Sequence, residues 1–442
     1  MNGNALMLAG VLLGLASPSA RLLGQAPVPM QLTLRESVEI ALRQNPQIQI
    51  ANLRLAESGQ DQNIARSALL PQASFSTTLG VERINLGSSF GAHLPGIPHH
   101  AGPFEVFQSG TSFSAPLFDL TLLRNWEASH QTVRASDADR ETVREEIVLL
   151  VVSQYLAALR ASAQVRAAQS RVDLASALYE QAVDLENNGA GTNLDTVRAQ
   201  VELQNEKQSL LVSETQSATA LNGLAQLLHL SAHQAVELSD EQSFFETAPS
   251  SPEGSIERAF ASRPEARSLA AQESAARLEK RAAAESRLPQ ITVGGMWSYQ
   301  GNSAPSAIPV YAYQGSVNIP LFTGGRIRAQ AAKAELEIKR IEQQQAQLRD
   351  RIALEVKDAE VQLGSARNQV EVANLGIDLA RREVAQARER FQEGVANNIE
   401  VVTAQDALAR AHDNQIEALY RYNQARADLA HAMGQIEDLY AK

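Results

Sequence analysis

Residues Gln290–Phe322 read QITVGGMWSYQGNSAPSAIPVYAYQGSVNIPLF and contain no Asp, Glu, Lys or Arg, in a chain that is 20% charged. Apolar and polar side chains alternate from Ile291 to Tyr299 and again from Tyr311 to Leu321. A period of two is typical of β-strands with one apolar face. Each run has about ten residues, which is too short for a transmembrane helix but matches a tilted transmembrane strand.

A second copy of this pattern lies upstream, in residues 72–118, and both copies end on Pro-Leu-Phe. The two windows hold 11 of the 21 aromatic residues and only three charged residues, Glu82, Arg83 and Glu105. This composition predicts strands that face lipid. The candidate membrane residues are Phe75, Phe113, Trp297, Tyr299, Tyr311 and Tyr313. The alternative is a pair of buried hairpins in a soluble α+β domain.

The composition of the whole chain excludes several classes of site. The 442 residues include no Cys, which excludes disulfides, thiolate metal sites and a lipid anchor on cysteine. A net charge of −11 argues against nucleic acid as a partner. His93, His99 and His100 lie in a loop without nearby carboxylates, so we expect surface residues there and no metal site. No catalytic or cofactor motif is present, which predicts a protein that is not an enzyme and has no cofactor.

The N-terminal segment indicates export. Ala5–Ala16 form a short apolar run followed by small residues, which predicts a signal peptide within residues 1–26, although no Lys or Arg precedes the run. No later stretch approaches 18 apolar residues, so we expect no transmembrane helix in the mature chain.

Long helices dominate the rest of the sequence. Asp119–Asn188 contain neither Pro nor Gly and predict one helix of about 105 Å. A second long helix is predicted over Arg326–Glu393, and glycine-containing tips follow both, at about 188–193 and 393–398. Returning helices are predicted over Leu194–Leu230 and Ile399–Met433, and residues 231–253 are interpreted as a connector.

The plan of the chain is duplicated. Asn45-Pro46 corresponds to Arg263-Pro264 at a spacing of 218, and Leu70-Pro71 to Leu288-Pro289 at the same spacing. The sequence therefore predicts two structural repeats, residues 27–252 and 253–442. Four strands cannot close a membrane barrel, so several chains must share one.

The chain resembles the outer-membrane efflux proteins of the TolC family. It shares with them the duplicated plan, the paired Pro-Leu-Phe strand ends and the two glycine tips. The resemblance implies a mainly α fold with β-structure, assembled as a homotrimer with a 12-strand β-barrel in the outer membrane and an α-helical barrel in the periplasm. It implies an exit duct for efflux or type I secretion, which docks on a periplasmic membrane-fusion adaptor and an inner-membrane pump of the RND, ABC or MFS type. The alternative function is a soluble periplasmic coiled-coil adaptor or scaffold, which would have one hairpin instead of two.

The resemblance also implies that the tips meet the adaptor. The docking residues would be Gly189, Ala190, Gly191 and Thr192 in the first tip and Gly394, Val395, Ala396 and Asn397 in the second. Small residues there allow a second backbone to approach closely. The alternative is that the glycines only terminate helices.

The residues next to the tips correspond to the gate of the family: Asp195, Phe391, Glu400 and Thr403. A ring of carboxylates in a narrow pore favours cations. The chain departs from the family pattern, because Ala396 replaces a basic residue, Thr403 replaces an acidic one and Phe391 lacks a hydroxyl. We therefore expect a closed tip with fewer polar links. Alternatively, Asp195 and Glu400 only stabilise the positive ends of their helices.

Overall fold

The computed structural model describes residues 29–86, 98–189, 191–231, 233–240, 252–393, 395 and 398–441. The predicted signal peptide, residues 1–26, lies outside them. The same order of elements, two short helices, two strands and two long helices, runs through the chain twice. The first run comprises α1 (Leu34–Gln44), α2 (Pro46–Ser67), β2 (Gln72–Asn85), β3 (His100–Phe118), α3 (Leu120–Asn187) and α4 (Asn193–Leu227), preceded by β1 (Met30–Leu32).

The second run is preceded by β4 (Val236–Leu238) and ends with one further short helix. It comprises α5 (Pro252–Ser262), α6 (Pro264–Glu285), β5 (Gln290–Gly301), β6 (Ile308–Asn318), α7 (Arg326–Gln392), α8 (Asn398–Ala432) and α9 (Ile436–Tyr440). The repeat boundaries at 252 and 253 stay a prediction.

Local chemistry sets the helix ends. Thr33 forms a capping box with Glu36 at the start of α1. The Asn45 side chain caps α2, and Pro46 occupies its first turn, where a missing amide costs nothing. Asp119 accepts hydrogen bonds from the amides of Thr121 and Leu122 at the start of α3. The two matching dipeptides, Asn45-Pro46 and Arg263-Pro264, both lie at the start of a helix, with Pro as its first residue.

Strands from both repeats form one antiparallel sheet in the order β2-β3-β5-β6. The loop predicted to hold His93, His99 and His100 is shorter than expected, because β2 continues to Asn85 and β3 begins at His100. The apolar alternation continues to Leu321, yet β6 ends at Asn318. Asn318 pairs with Gln290, the first residue of β5, so residues 319–322 have no strand opposite them.

A short parallel pair of strands corrects the interpretation of residues 231–253 as a plain connector. β4 lies in that segment and pairs with β1, with Met30 opposite Val236. The hydroxyl of buried Tyr155 donates to the Leu32 carbonyl (3.0 Å) and the Asp240 carboxylate (2.8 Å). The pair sits on the largest apolar core, which includes Leu32, Val38, Val151, Val152, Leu228 and Ile436. Through this core, α9 near the C-terminus packs against the middle of α3.

Among the described helices, α3 alone is long and apolar enough to cross a membrane by length and composition. Half of its apolar window is buried inside the protein, as in the core helix of a folded domain. The expectation of no transmembrane helix therefore stays a prediction.

Candidate functional site

The four-stranded sheet exposes one apolar, aromatic face. In one row across the sheet, Phe75 lies opposite Thr111, Thr111 opposite Trp297, and Trp297 opposite Tyr311. Phe75 and Tyr311 are each 69% exposed. A contiguous apolar surface of this kind marks an interface with lipid or protein.

Aromatic rings on this face also contact one another. The ring centroids of Phe113 and Tyr313 are 6.2 Å apart, and those of Trp297 and Tyr299 are 5.6 Å apart. All six aromatic residues proposed from the sequence as membrane residues therefore lie on exposed positions of the same face. The hairpins are not buried in a core, which disfavours the soluble α+β alternative.

The opposite face of the sheet carries short polar side chains. Hydroxyl groups pair across strands, Ser74 with Ser112 at 2.9 Å and Thr292 with Ser316 at 2.8 Å. One face thus suits hydrocarbon and the other suits water, which is the pattern of a barrel wall. Within the described residues, β2 and β6 each pair on one side only.

The long helices form two coiled-coil hairpins arranged in a row. α4 packs along α3, α3 packs against α8, and α8 packs along α7. The buried seam of α7 follows alternating steps of four and three residues, with one step of seven after Ala359: Ile352, Val356, Ala359, Ala366, Val370, Ala373, Ile377, Ala380, Val384 and Ala387. A period of 3.5 is the signature of left-handed coiled-coil packing.

The two helices at the ends of the row carry a second, exposed apolar seam. On α7 it includes Leu354, Val361, Val372, Leu375 and Leu379, and on α4 it includes Leu194, Val197, Val201 and Leu211. Leu354, Val361 and Leu375 are separated by multiples of seven residues, so they form one stripe on α7. The exposed seams of α4 and α7 are therefore surfaces on which another helix could pack.

The first tip is a tight turn between α3 and α4. Gly189 has φ +71°, a left-handed conformation that favours glycine after a helix. An added Cβ on Gly191 would lie 3.0 Å from the Leu185 Cβ, so a side chain at this position would crowd the end of α3. Thr192 caps α4. Ala190, the fourth predicted residue of this tip, lies outside the described residues.

Asp195 occupies the first turn of α4 and contacts its own hairpin. The Thr192 hydroxyl donates to the Asp195 carboxylate at 2.6 Å, and Arg198 lies 3.9 Å from it. These contacts suit a residue that stabilises the positive end of a helix. They leave the carboxylate 43% exposed beside the tip, where a gate was predicted.

The second tip lies between α7 and α8. Val395 is exposed, whereas Gly394, Ala396 and Asn397 lie outside the described residues. Phe391 belongs to the last turn of α7, and the Thr403 hydroxyl donates to the Ile399 carbonyl within α8.

Sequence reasoning missed a polar link at this second tip. Arg390 lies 3.0 Å from the carboxylate of Glu400 and joins the end of α7 to the start of α8. An arginine ten residues before an acidic residue, across a predicted tip, is the signal that would have found it. The expectation of fewer polar links at the tips stays a prediction, with this pair as one link that is present.

A group of charged residues lies far from the tips, where the short helices meet α3. Burial raises the pKa of Glu145 to about 7, and the charges of Glu437 and Asp438 add to the shift. Burial also acts to raise the pKa of Glu265, but hydrogen bonds from Arg263 outweigh it and hold that pKa below its usual range.

Within the described part of the chain, no group of His, Asp or Glu could hold a metal ion, and His93 lies outside it.

Known proteins share sequence with this chain over most of its length. Residues 38–229 and 255–435 match the family described as "Outer membrane efflux protein". The chain is 23% identical over 420 residues to the alkaline protease secretion protein AprF of Pseudomonas aeruginosa, covering 92% of this chain and 85% of AprF. It is 23% identical over 403 residues to the pyoverdine export outer membrane protein OpmQ of the same species, covering 89% and 83%.

Solved structures show the same fold. The outer membrane channel CmeC of Campylobacter jejuni matches with a TM-score of 0.77 at 18% identity, over 91% of this chain and 86% of that one. The outer membrane protein VceC of Vibrio cholerae matches with a TM-score of 0.75 at 18% identity, over 91% and 96%. The fold class predicted from the sequence is confirmed.

Proposed function

This chain belongs to the outer membrane efflux protein family, and from that premise we propose that three copies form one continuous duct. The protein is an outer-membrane channel with a large periplasmic portion, and it serves as the exit duct of an efflux or secretion system. The family match favours this function over a soluble adaptor. The observation that carries the proposal is a four-stranded sheet with a lipid-compatible face and two unpaired edges.

Assembly as a trimer would cover both kinds of unpaired surface: the sheet edges at β2 and β6 and the exposed seams of α4 and α7. Unpaired strand edges are not tolerated in hydrocarbon, and three copies supply twelve strands, enough to close a barrel around an aqueous lumen. The same three copies supply twelve long helices. The exposed seam of α4 in one protomer would then pack against the exposed seam of α7 in the next.

Disulfide cross-linking tests this contact, since the chain has no Cys of its own. Leu211 and Leu375 lie about 20 residues from their respective tips, so they lie at similar heights. We expect the double substitution Leu211→Cys and Leu375→Cys to give covalent dimers and trimers after oxidation, seen on denaturing gels. Within one protomer α3 and α8 separate the two sites, so no internal bond competes.

The matched control moves one cysteine along the same helix. Leu354 shares the exposed seam but lies 21 residues from Leu375, about 31 Å along α7. Leu211→Cys with Leu354→Cys should therefore stay monomeric on the gel. Equal cross-linking of both pairs, or of neither, would contradict the proposed contact.

An exit duct of an efflux or secretion system needs partner proteins that connect it to the inner membrane. We propose that the two tips dock on a periplasmic adaptor that connects the duct to an inner-membrane pump. The relatives' names connect AprF with alkaline protease and OpmQ with pyoverdine, so similar ducts serve cargoes as different as a protein and a small molecule. This range supports the proposal that selectivity lies mainly in the pump and not in the duct.

We further propose that Asp195 contributes to a gate at the periplasmic end. If its carboxylate helps to hold the tip closed, Asp195→Ala should raise the resting conductance of single channels in planar bilayers. Glu214→Ala, an exposed change on the same helix, serves as the matched control. An unchanged, low resting conductance for Asp195→Ala would leave only the helix-capping role.

A further inference from the structure

A cavity of about 380 Å³ lies where the two helical hairpins of one protomer meet. α3 contributes one wall, and α7 and α8 contribute the others. Its volume is within the range of small-molecule sites. All three helices belong to one chain, so a single protomer supplies every wall of the cavity.

The cavity is lined by apolar side chains and by arginines. Leu174, Val384 and Leu408 are among the apolar side chains that line it. The charged side chains that line it are Arg166, Arg171 and Arg388, and among the described lining residues none is Asp or Glu. A site with this composition favours an anion that also carries an apolar part.

Two of these arginines are available to a ligand. Arg171 is already engaged, since it lies 3.1 Å from the carboxylate of Glu206 and 3.3 Å from that of Asp413. Arg166 and Arg388 form no ion pair within the described part of the chain. Both residues are exposed, so a ligand in the cavity can reach them.

We propose that this cavity binds an amphipathic anion, with a carboxylate or sulfonate toward Arg166 and Arg388 and an apolar chain over Val384 and Leu408. The ligand would contact both hairpins at once. It would therefore stabilise the arrangement of the hairpins seen here over arrangements in which they separate.

Decanoate is a suitable probe, measured in radiolabelled form by equilibrium dialysis against the full-length protein in lipid nanodiscs, with empty nanodiscs subtracted. We expect saturable binding of one decanoate per protomer. Arg166→Gln and Arg388→Gln should each weaken binding by about tenfold, because each removes a charge-assisted hydrogen bond. Arg382→Gln, an exposed change on α7 outside the cavity, should leave the affinity unchanged.

Two further measurements separate this site from general affinity for apolar chains. Decylammonium, with the same chain and the opposite charge, should show no saturable binding. Leu408→Trp, which fills the cavity without altering a charge, should abolish decanoate binding while the protein elutes at the same size as the parent. Three results would each overturn the proposal: binding no greater than that of empty nanodiscs, an affinity equal to the parent's in both glutamine variants, or equal binding of decylammonium.

Discussion

Leu79→Arg is expected to prevent the protein from assembling in the outer membrane. Leu79 lies near the middle of β2, on the exposed apolar face, and is 77% exposed. An arginine on the lipid face of a barrel costs about 2–4 kcal/mol at mid-membrane depth, which is roughly 6–12 kcal/mol over three copies. This cost exceeds the effect expected for any other single substitution considered above. The measurement is the amount of native-sized complex in purified outer membranes.

The adjacent residue provides the matched control. Thr78 pairs with Gln108 on the polar face, which faces the lumen in the proposed barrel. Thr78→Arg should therefore assemble at close to the parent level, since an arginine in an aqueous lumen stays hydrated. If the amount of native-sized complex fell equally for both variants, the idea that one face of β2 contacts lipid and the other faces the lumen would be wrong.

Arg263→Gln is expected to give the largest loss of stability in the periplasmic part. The Arg263 side chain is only 6% exposed, and it forms ion pairs with Glu265 at 2.6 Å and with Glu355 of α7. Removing one partner of a buried ion pair costs about 3–5 kcal/mol, because the remaining charge has no compensation. Since Glu355 is 38% exposed, we expect about 3 kcal/mol.

The check is the midpoint of heat-induced loss of helical circular dichroism, which should fall by several degrees for Arg263→Gln. Arg277→Gln is the matched control. Arg277 also pairs with a glutamate, Glu273, but it is 60% exposed, and exposed pairs contribute about 0–1 kcal/mol. A midpoint shift no larger than that of the control would contradict the role given to burial.

The features that sequence could predict are those with a local cause. The length of α3 follows from 70 residues without Pro or Gly, and the membrane strands follow from alternation without charge. The duplicated plan follows from Pro pairs at a constant spacing. In each case the information lies in neighbouring residues or in an internal repeat.

The features that sequence could not predict depend on contacts between distant segments. β1 and β4 have three residues each, too few for a pattern, and their partners lie about 200 residues apart. The arginine-lined cavity likewise combines Arg166 of α3 with Arg388 of α7, which no local pattern connects. The role of Asp195 in a gate stays a prediction from the sequence, and the Arg390–Glu400 pair at the second tip was not predicted.

The central claim is that several copies of this chain share one outer-membrane barrel. Its most direct test is detergent extraction of purified outer membranes, followed by mass measurement of the complex before and after denaturation. We predict a detergent-stable trimer in the outer-membrane fraction that separates into monomers on denaturation. A water-soluble monomer in the periplasmic fraction would contradict the claim, because the aromatic face of the sheet would then have no lipid to cover it.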